Sequence, residues 1–167
     1  MRVAIGSDKS GFALKEAVKA YLVSEEARAA GVEFDSGRDD LGTTDIGDVH
    51  PYYRVAADVA PRVLSGEYDR AVLICGTGAG MSVVANKFKG LSAVACEGVY
   101  SAKMARVING AQVLCMGGWI VAPEMGLEMT KAFLAAETHV GIEEWRKEWL
   151  SAADQKVAAI EEENFKG

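Results

Sequence analysis

The sequence predicts an α/β protein built on a doubly wound sheet of five parallel strands with helices on both faces. Two observations predict it. Short apolar runs such as Val3-Ala-Ile5 and Ala71-Val-Leu-Ile74 alternate with segments whose apolar residues fall at helical spacing, the order that builds a parallel sheet through crossover helices. Between the central run and the helix after it lies Cys75-Gly-Thr-Gly-Ala-Gly80, a glycine-rich turn that points backbone N–H groups and the positive end of a helix dipole at one spot.

Taken in order, Arg2 to Gly6 is the first strand, ending in a polar turn, Ser7 to Ser10, at the carboxyl edge where open parallel sheets bind ligands. Phe12, Leu14, Ala17, Val18, Tyr21 and Leu22 then recur at helical spacing, with Lys15, Glu16 and Lys19 outside them. Gly31 to Asp35 reads as the second strand, and the polar, glycine-rich stretch Ser36 to Asp48 after it is long enough to be functional or mobile. His50-Pro51 leads to a helix over Val55 to Leu64, closed by Ser65-Gly66. The central strand, Ala71 to Ile74, passes through the cysteine turn into a helix from near Met81. Leu91 to Cys96 is a further strand, Ser101 to Val107 a short helix, and Ala111 to Met116 a strand stopped by Gly117-Gly118. Pro123 to Glu137 contains a helix with Met125, Leu127, Met129, Phe133 and Leu134 on its apolar side, and Met116, Met125 and Met129 read as core.

Residues 1–167 read as one domain, of which about 138–167 is a charged helical extension carrying Trp145, Trp149, Leu150, Val157 and Ile160 near the helical repeat. That extension is too amphipathic for a free tail, and its tryptophans suit packing on a second subunit, so a homodimer is expected, with a tetramer as the alternative. The net charge of -6 argues against nucleic acid or anionic lipid as a partner. Any anionic ligand must be held locally. Cys75, Cys96 and Cys115 are odd in number, widely spaced and set in apolar surroundings, which speaks against disulfides and zinc and for a reducing compartment. The start goes straight into a strand without an apolar leader, and no apolar run nears the roughly 20 residues that a bilayer needs. A cytoplasmic location is expected.

By itself a glycine-rich turn is a tight entry to a helix, and a cysteine at a strand end is a small buried hydrophobe. This turn is not Gly-x-Gly-x-x-Gly, since Met81 holds the last position, and no Gly-Lys-Ser/Thr follows. Dinucleotide and NTP binding therefore recede. A thiol beside a helix N-terminus has its thiolate favoured and suits a general base. A carbonyl oxygen among the same amides would be stabilised as an enediolate when a proton leaves the neighbouring carbon. Aldose–ketose isomerisation requires that pairing.

Three stretches carry a resemblance: Val3-Ala-Ile-Gly-Ser-Asp-Lys-Ser-Gly-Phe-Ala-Leu-Lys15, Ile74-Cys-Gly-Thr-Gly-Ala-Gly-Met-Ser82 with Ala85-Asn-Lys87, and Tyr100-Ser-Ala-Lys-Met-Ala-Arg-Val-Ile-Asn109. In register from Met1 to about Glu137, the chain resembles the sugar-phosphate isomerases that include ribose-5-phosphate isomerase B and the galactose-6-phosphate isomerase subunits. The resemblance implies a Rossmann-like or flavodoxin-like sheet, no metal or organic cofactor, and a homodimer with its sites at the subunit interface. The reaction implied is aldose–ketose isomerisation of a small sugar phosphate, of ribose-5-phosphate type or a tetrose phosphate, through a cis-enediol. Carried over, Cys75 is the base, Thr77 steadies the reacting hydroxyl, Gly76, Gly78 and Gly80 form the anion hole, Asp8 binds substrate hydroxyls, and Asn109 reaches in from the partner.

Departures from the pattern cluster at the site. Lys9 stands where the family has a histidine, Ile108 where a histidine helps open the sugar ring, and Trp119 where an arginine helps bind phosphate. Lys9 then offers a point charge in partial replacement, and His50, at a position often held by tyrosine, offers acid–base help that Ile108 cannot give. The lost histidine favours a substrate that is already open-chain, such as a tetrose phosphate. A different acyclic or unphosphorylated sugar, or a non-catalytic subunit or sugar-binding module paired with an active paralogue, are the alternatives.

Overall fold

Val3–Ser7 (β1) is buried at every position, as a strand covered on both faces must be. In the computed structural model, which describes residues 1–165, it leads through a polar turn into Phe12–Leu22 (α1) and the short Glu25–Ala29 (α2). The sequence reading passed over α2, whose start is marked by Ser24 Oγ accepting the Ala27 N–H at 3.2 Å. Tyr52–Leu64 (α3), Arg70–Cys75 (β2), Ala79–Ala85 (α4), Ala93–Ala95 (β3), Val99–Asn109 (α5), Val113–Gly117 (β4), Pro123–Ala135 (α6) and Glu144–Asn164 (α7) follow.

The strands form a parallel sheet in the order β1-β2-β4-β3, with Ser7 opposite Ile74 and Cys75 opposite Gly117. Alternate residues of each strand enter different cores, as the two-residue period of a strand dictates. Ile5, Ile74 and Met116 pack with Leu14 of α1 and Phe133 of α6, whereas Ala4, Leu73 and Cys115 pack with Val59 of α3 and Met81 of α4. Helices therefore cover both faces. Among the described residues, no helix is long and apolar enough to cross a membrane.

The sheet has four strands, not the expected five. Gly31 to Asp35 does reach the free edge of β1, but only through an isolated bridge between Glu33 and Arg2, with a second bridge between Asp40 and Ile5. A turn separates the two bridges: Asp35 O accepts the N–H groups of Arg38 and Asp39, and Asp35 Oδ1 accepts that of Gly37. Polar residues thus break the run that apolar ones would have continued. Beyond the turn, Leu41 N–H donates to Ile5 O and Thr43 N–H to Ser7 O, each at 2.8 Å, so the edge stays paired.

Met116 and Met129 are fully buried, but Met125 is exposed on the first turn of α6 and is not core. In α7 only Leu150 is buried. The helix is tethered by Lys89 to Glu162 at 2.7 Å, by Gly90 N–H to Glu161 Oε1 at 2.9 Å, and by His139 to Ser151 and Asp154 at 3.3 Å each. Trp145 and Trp149 remain 64% and 65% exposed. The last two residues of the extension read from sequence, Lys166 and Gly167, lie outside the described residues.

Candidate active site

Three turns meet at the carboxyl edge of the sheet. The first follows β1: Asp8 N–H donates to Ile74 O at 3.2 Å, and Asp8 Oδ1 accepts the Gly11 N–H at 3.0 Å, leaving the other carboxylate oxygen free of that bond. The second is the Cys75 turn. Gly78 has φ +77, and a Cβ there would lie 2.9 Å from the Met116 carbonyl carbon, so only glycine fits. This conformation ends the turn and lets α4 start at Ala79 rather than near Met81. It also aims the Gly78 N–H at Cys75 Sγ, 3.2 Å away, fixing the sulfur as an acceptor.

The third turn follows β4. Gly118 N–H donates to Cys75 O at 2.7 Å and Trp119 N–H to Gly76 O at 3.0 Å, locking this turn to the second. Trp119 lays its ring where a Gly76 side chain would be, 2.8 Å from an added Cβ, and Tyr52 does the same at Gly80 at 2.9 Å. Between them opens a cleft of about 300 Å³ lined by Asp8, Ser10, Tyr52, Cys75, Gly76, Thr77, Gly80 and Trp119.

The structure thus brings Asp8, Cys75, Gly76, Thr77 and Gly80 together. Gly78 lies behind the cleft, against the Met116 backbone, and acts through the sulfur. Lys9 is exposed on the first turn but does not line the cleft. His50 does not line it either: its N–H donates to Thr43 Oγ1 at 3.0 Å and its imidazole lies 4.0 Å from Asp48. Asn109 ends α5, at the amino edge of the sheet, where it lines a separate cavity with Asn86, Gln112 and Asp154. Within one chain it does not meet Cys75. Ser10 and Tyr52 were missed from sequence, although Ser10 sits in the polar turn already singled out and Tyr52 opens a helix at the same edge. Burial pushes the Cys115 thiol well above its ordinary range and the Cys96 thiol up, in keeping with inert strand residues. Among the described residues, no group of three or more His, Cys, Asp or Glu side chains is placed to hold a metal ion.

A family model described as Ribose/Galactose Isomerase matches residues 3–148. The chain belongs to the ribose/galactose isomerase family. It is 49% identical over 166 residues to a 4-deoxy-4-sulfo-D-erythrose isomerase of Clostridium sp. (strain MSTE9), covering 99% of each. To D-erythrulose-4-phosphate isomerase 2 of Mycolicibacterium smegmatis it is 41% identical, over 82% of this chain and 86% of the relative. The structure of ribose-5-phosphate isomerase B from Clostridium thermocellum superposes with a TM-score of 0.80 at 32% identity, covering 98% of this chain and 99% of that one. The chain is accordingly an aldose–ketose isomerase of this family. In this isomerase the cysteine turn lies on the cleft, and the departures at Ile108 and Trp119 become questions of which sugar it accepts.

Proposed function

We propose that the chain interconverts the aldose and ketose forms of a four-carbon sugar ending in a sulfonate, 4-deoxy-4-sulfo-D-erythrose and its ketose, through a cis-enediol at Cys75. The carrying observation is that the cleft holding Cys75 is lined by no lysine or arginine. A phosphate monoester carries about −1.5 to −2 charge at pH 7, whereas a sulfonate carries a single one and asks less of an uncharged cleft. With sulfur on C4 the sugar has no terminal hydroxyl to close a furanose, so it stays open, and Ile108 in place of a ring-opening histidine costs nothing. The relative that is 49% identical supports the same substrate.

In this reading the Cys75 thiolate takes the proton from C2, the C–H electrons form the C1=C2 bond, and the carbonyl electrons move onto O1. Backbone N–H groups of the Gly76 to Gly80 turn, other than that of Gly78, which the sulfur engages, stabilise that oxygen. Thr77 passes the hydroxyl proton from O2 to O1, and the thiol returns its proton to C1, leaving a ketone at C2. Asp8 accepts a substrate hydroxyl with the oxygen that Gly11 does not engage. The proton transfers so written need no redox cofactor, since no electrons are gained or lost overall. Asn109 of the partner subunit completes the site in a homodimer that covers the exposed face of α7, in the reducing cytoplasm.

A second reading, a tetrose phosphate, is favoured by Lys9, exposed beside Asp8. Deuterium uptake from deuterated water into the four-carbon sulfonate, the four-carbon phosphate and ribose 5-phosphate tests both. Uptake led by the sulfonate, and reduced at least about a hundredfold in Cys75→Ala, is expected. Uptake led by the four-carbon phosphate selects the second reading, and uptake only into ribose 5-phosphate sinks both.

A further inference from the structure

Trp119 is 74% exposed, on a backbone pinned by hydrogen bonds. Its N–H donates to Gly76 O at 3.0 Å, and the turn around it is closed by Ile120 and Val121 N–H groups donating to Gly117 O at 3.0 and 2.8 Å. An indole left in solvent on a fixed backbone serves no core. It meets Gly76 through Cε3, Cζ3 and Cη2, the benzo edge, which keeps its N–H on the far side of the ring. Gly76 follows Cys75 directly, so the ring bounds the cleft right beside the base, while Tyr52 over Gly80 bounds it elsewhere.

We propose that Trp119 is a specificity-determining residue that holds the cleft to four-carbon substrates, the indole occupying the space a fifth carbon would need. The inference rests on the four-carbon reading above and names the residue that enforces it. Space taken by one carbon unit in a close-fitting pocket is worth about 10–200-fold in kcat/KM, so removing the ring should be visible as a change of preference rather than a general loss.

The test compares 4-deoxy-4-sulfo-D-erythrulose and D-erythrulose 4-phosphate with their five-carbon homologues, 5-deoxy-5-sulfo-D-ribulose and D-ribulose 5-phosphate, all open-chain ketoses. Ring opening does not enter, and the ratio is read within whichever pair the wild type turns over. Wild type should prefer the shorter. Trp119→Ala should raise the five-carbon to four-carbon ratio of kcat/KM about tenfold or more, while Trp119→Phe, which keeps a flat ring on Gly76, should stay within about threefold of wild type. Damage to the fold would lower both rates together and leave the ratio unmoved. An unmoved ratio in a Trp119→Ala variant that still acts on the shorter ketose overturns this inference alone. A wild type inactive on every four-carbon sugar, sulfonate included, overturns the proposed function and this inference with it.

Discussion

At Asp39 burial works against ionisation, yet the Arg38 guanidinium, the Asp35 N–H and the Tyr68 hydroxyl all donate to the carboxylate and together hold it below the ordinary range. A carboxyl depressed in the folded state contributes stability that is present above its unfolded value, near 4, and is lost as pH falls through the lower folded value. Asp39→Asn should therefore lower stability at neutral pH by about 1–3 kcal/mol and flatten the acid limb of the stability profile, measured by urea unfolding between neutral and acid pH. At this scale the sequence exposed the residues of the cysteine turn, because a cysteine among glycines after a buried strand is a local pattern. Tyr52 reaches the cleft from the start of α3 and Trp119 from the turn after β4, each filling the place of an absent glycine side chain, and no spacing along the chain announces that. His50 stands apart from the cleft within one chain: a histidine in a polar loop is conspicuous, but its loop holds it by its backbone against Thr43.

Among the elements, the four strands and the long helices are evident from apolar period alone, since a strand covered on both faces has little choice of residue. The edge of β1 is different. It is completed by a segment that turns away after Glu33 and returns at Asp40, and what returns it is a charge. Lys15 of α1 and Asp40 are both fully buried, their atoms 2.6 and 2.8 Å apart, with Lys19 adding a contact at 2.9 Å. Breaking such a pair from one side strands the other charge, at about 3–5 kcal/mol. Asp40→Ala should fall at the low end of that range, because Glu16 still lies 2.9 Å from Lys15. Adding Lys15→Met should recover part of the loss, and thermal unfolding of the single and double variants measures both. Sequence reading saw a polar loop here because its apolar signal is weak and its pairing rests on an ion pair that closes across a long interval of chain.

At the scale of the whole molecule, the exposed apolar side chains of α7 and the separation of Cys75 from Asn109 belong to the same picture. Cys75 stands at the carboxyl edge of the sheet and Asn109 at the amino edge, so no movement within one chain of this fold joins them. In the proposed homodimer each centre takes its base from one copy and its asparagine from the other. A two-fold pair has two such centres. Two defective genes can then rescue one another: a dimer of one Cys75→Ala copy and one Asn109→Ala copy carries both lesions in a single centre and leaves the other whole. With random pairing, half the dimers are mixed and each keeps one of two centres, so co-expressed variants that are each inactive alone should recover about a quarter of the wild-type rate. Assays of the purified parents and of the co-expressed mixture check this, and a mixture no better than its parents would place base and asparagine in separate work. Where the mixture does recover, two damaged alleles compensate one another, and inheritance acts on the pair rather than on the single gene.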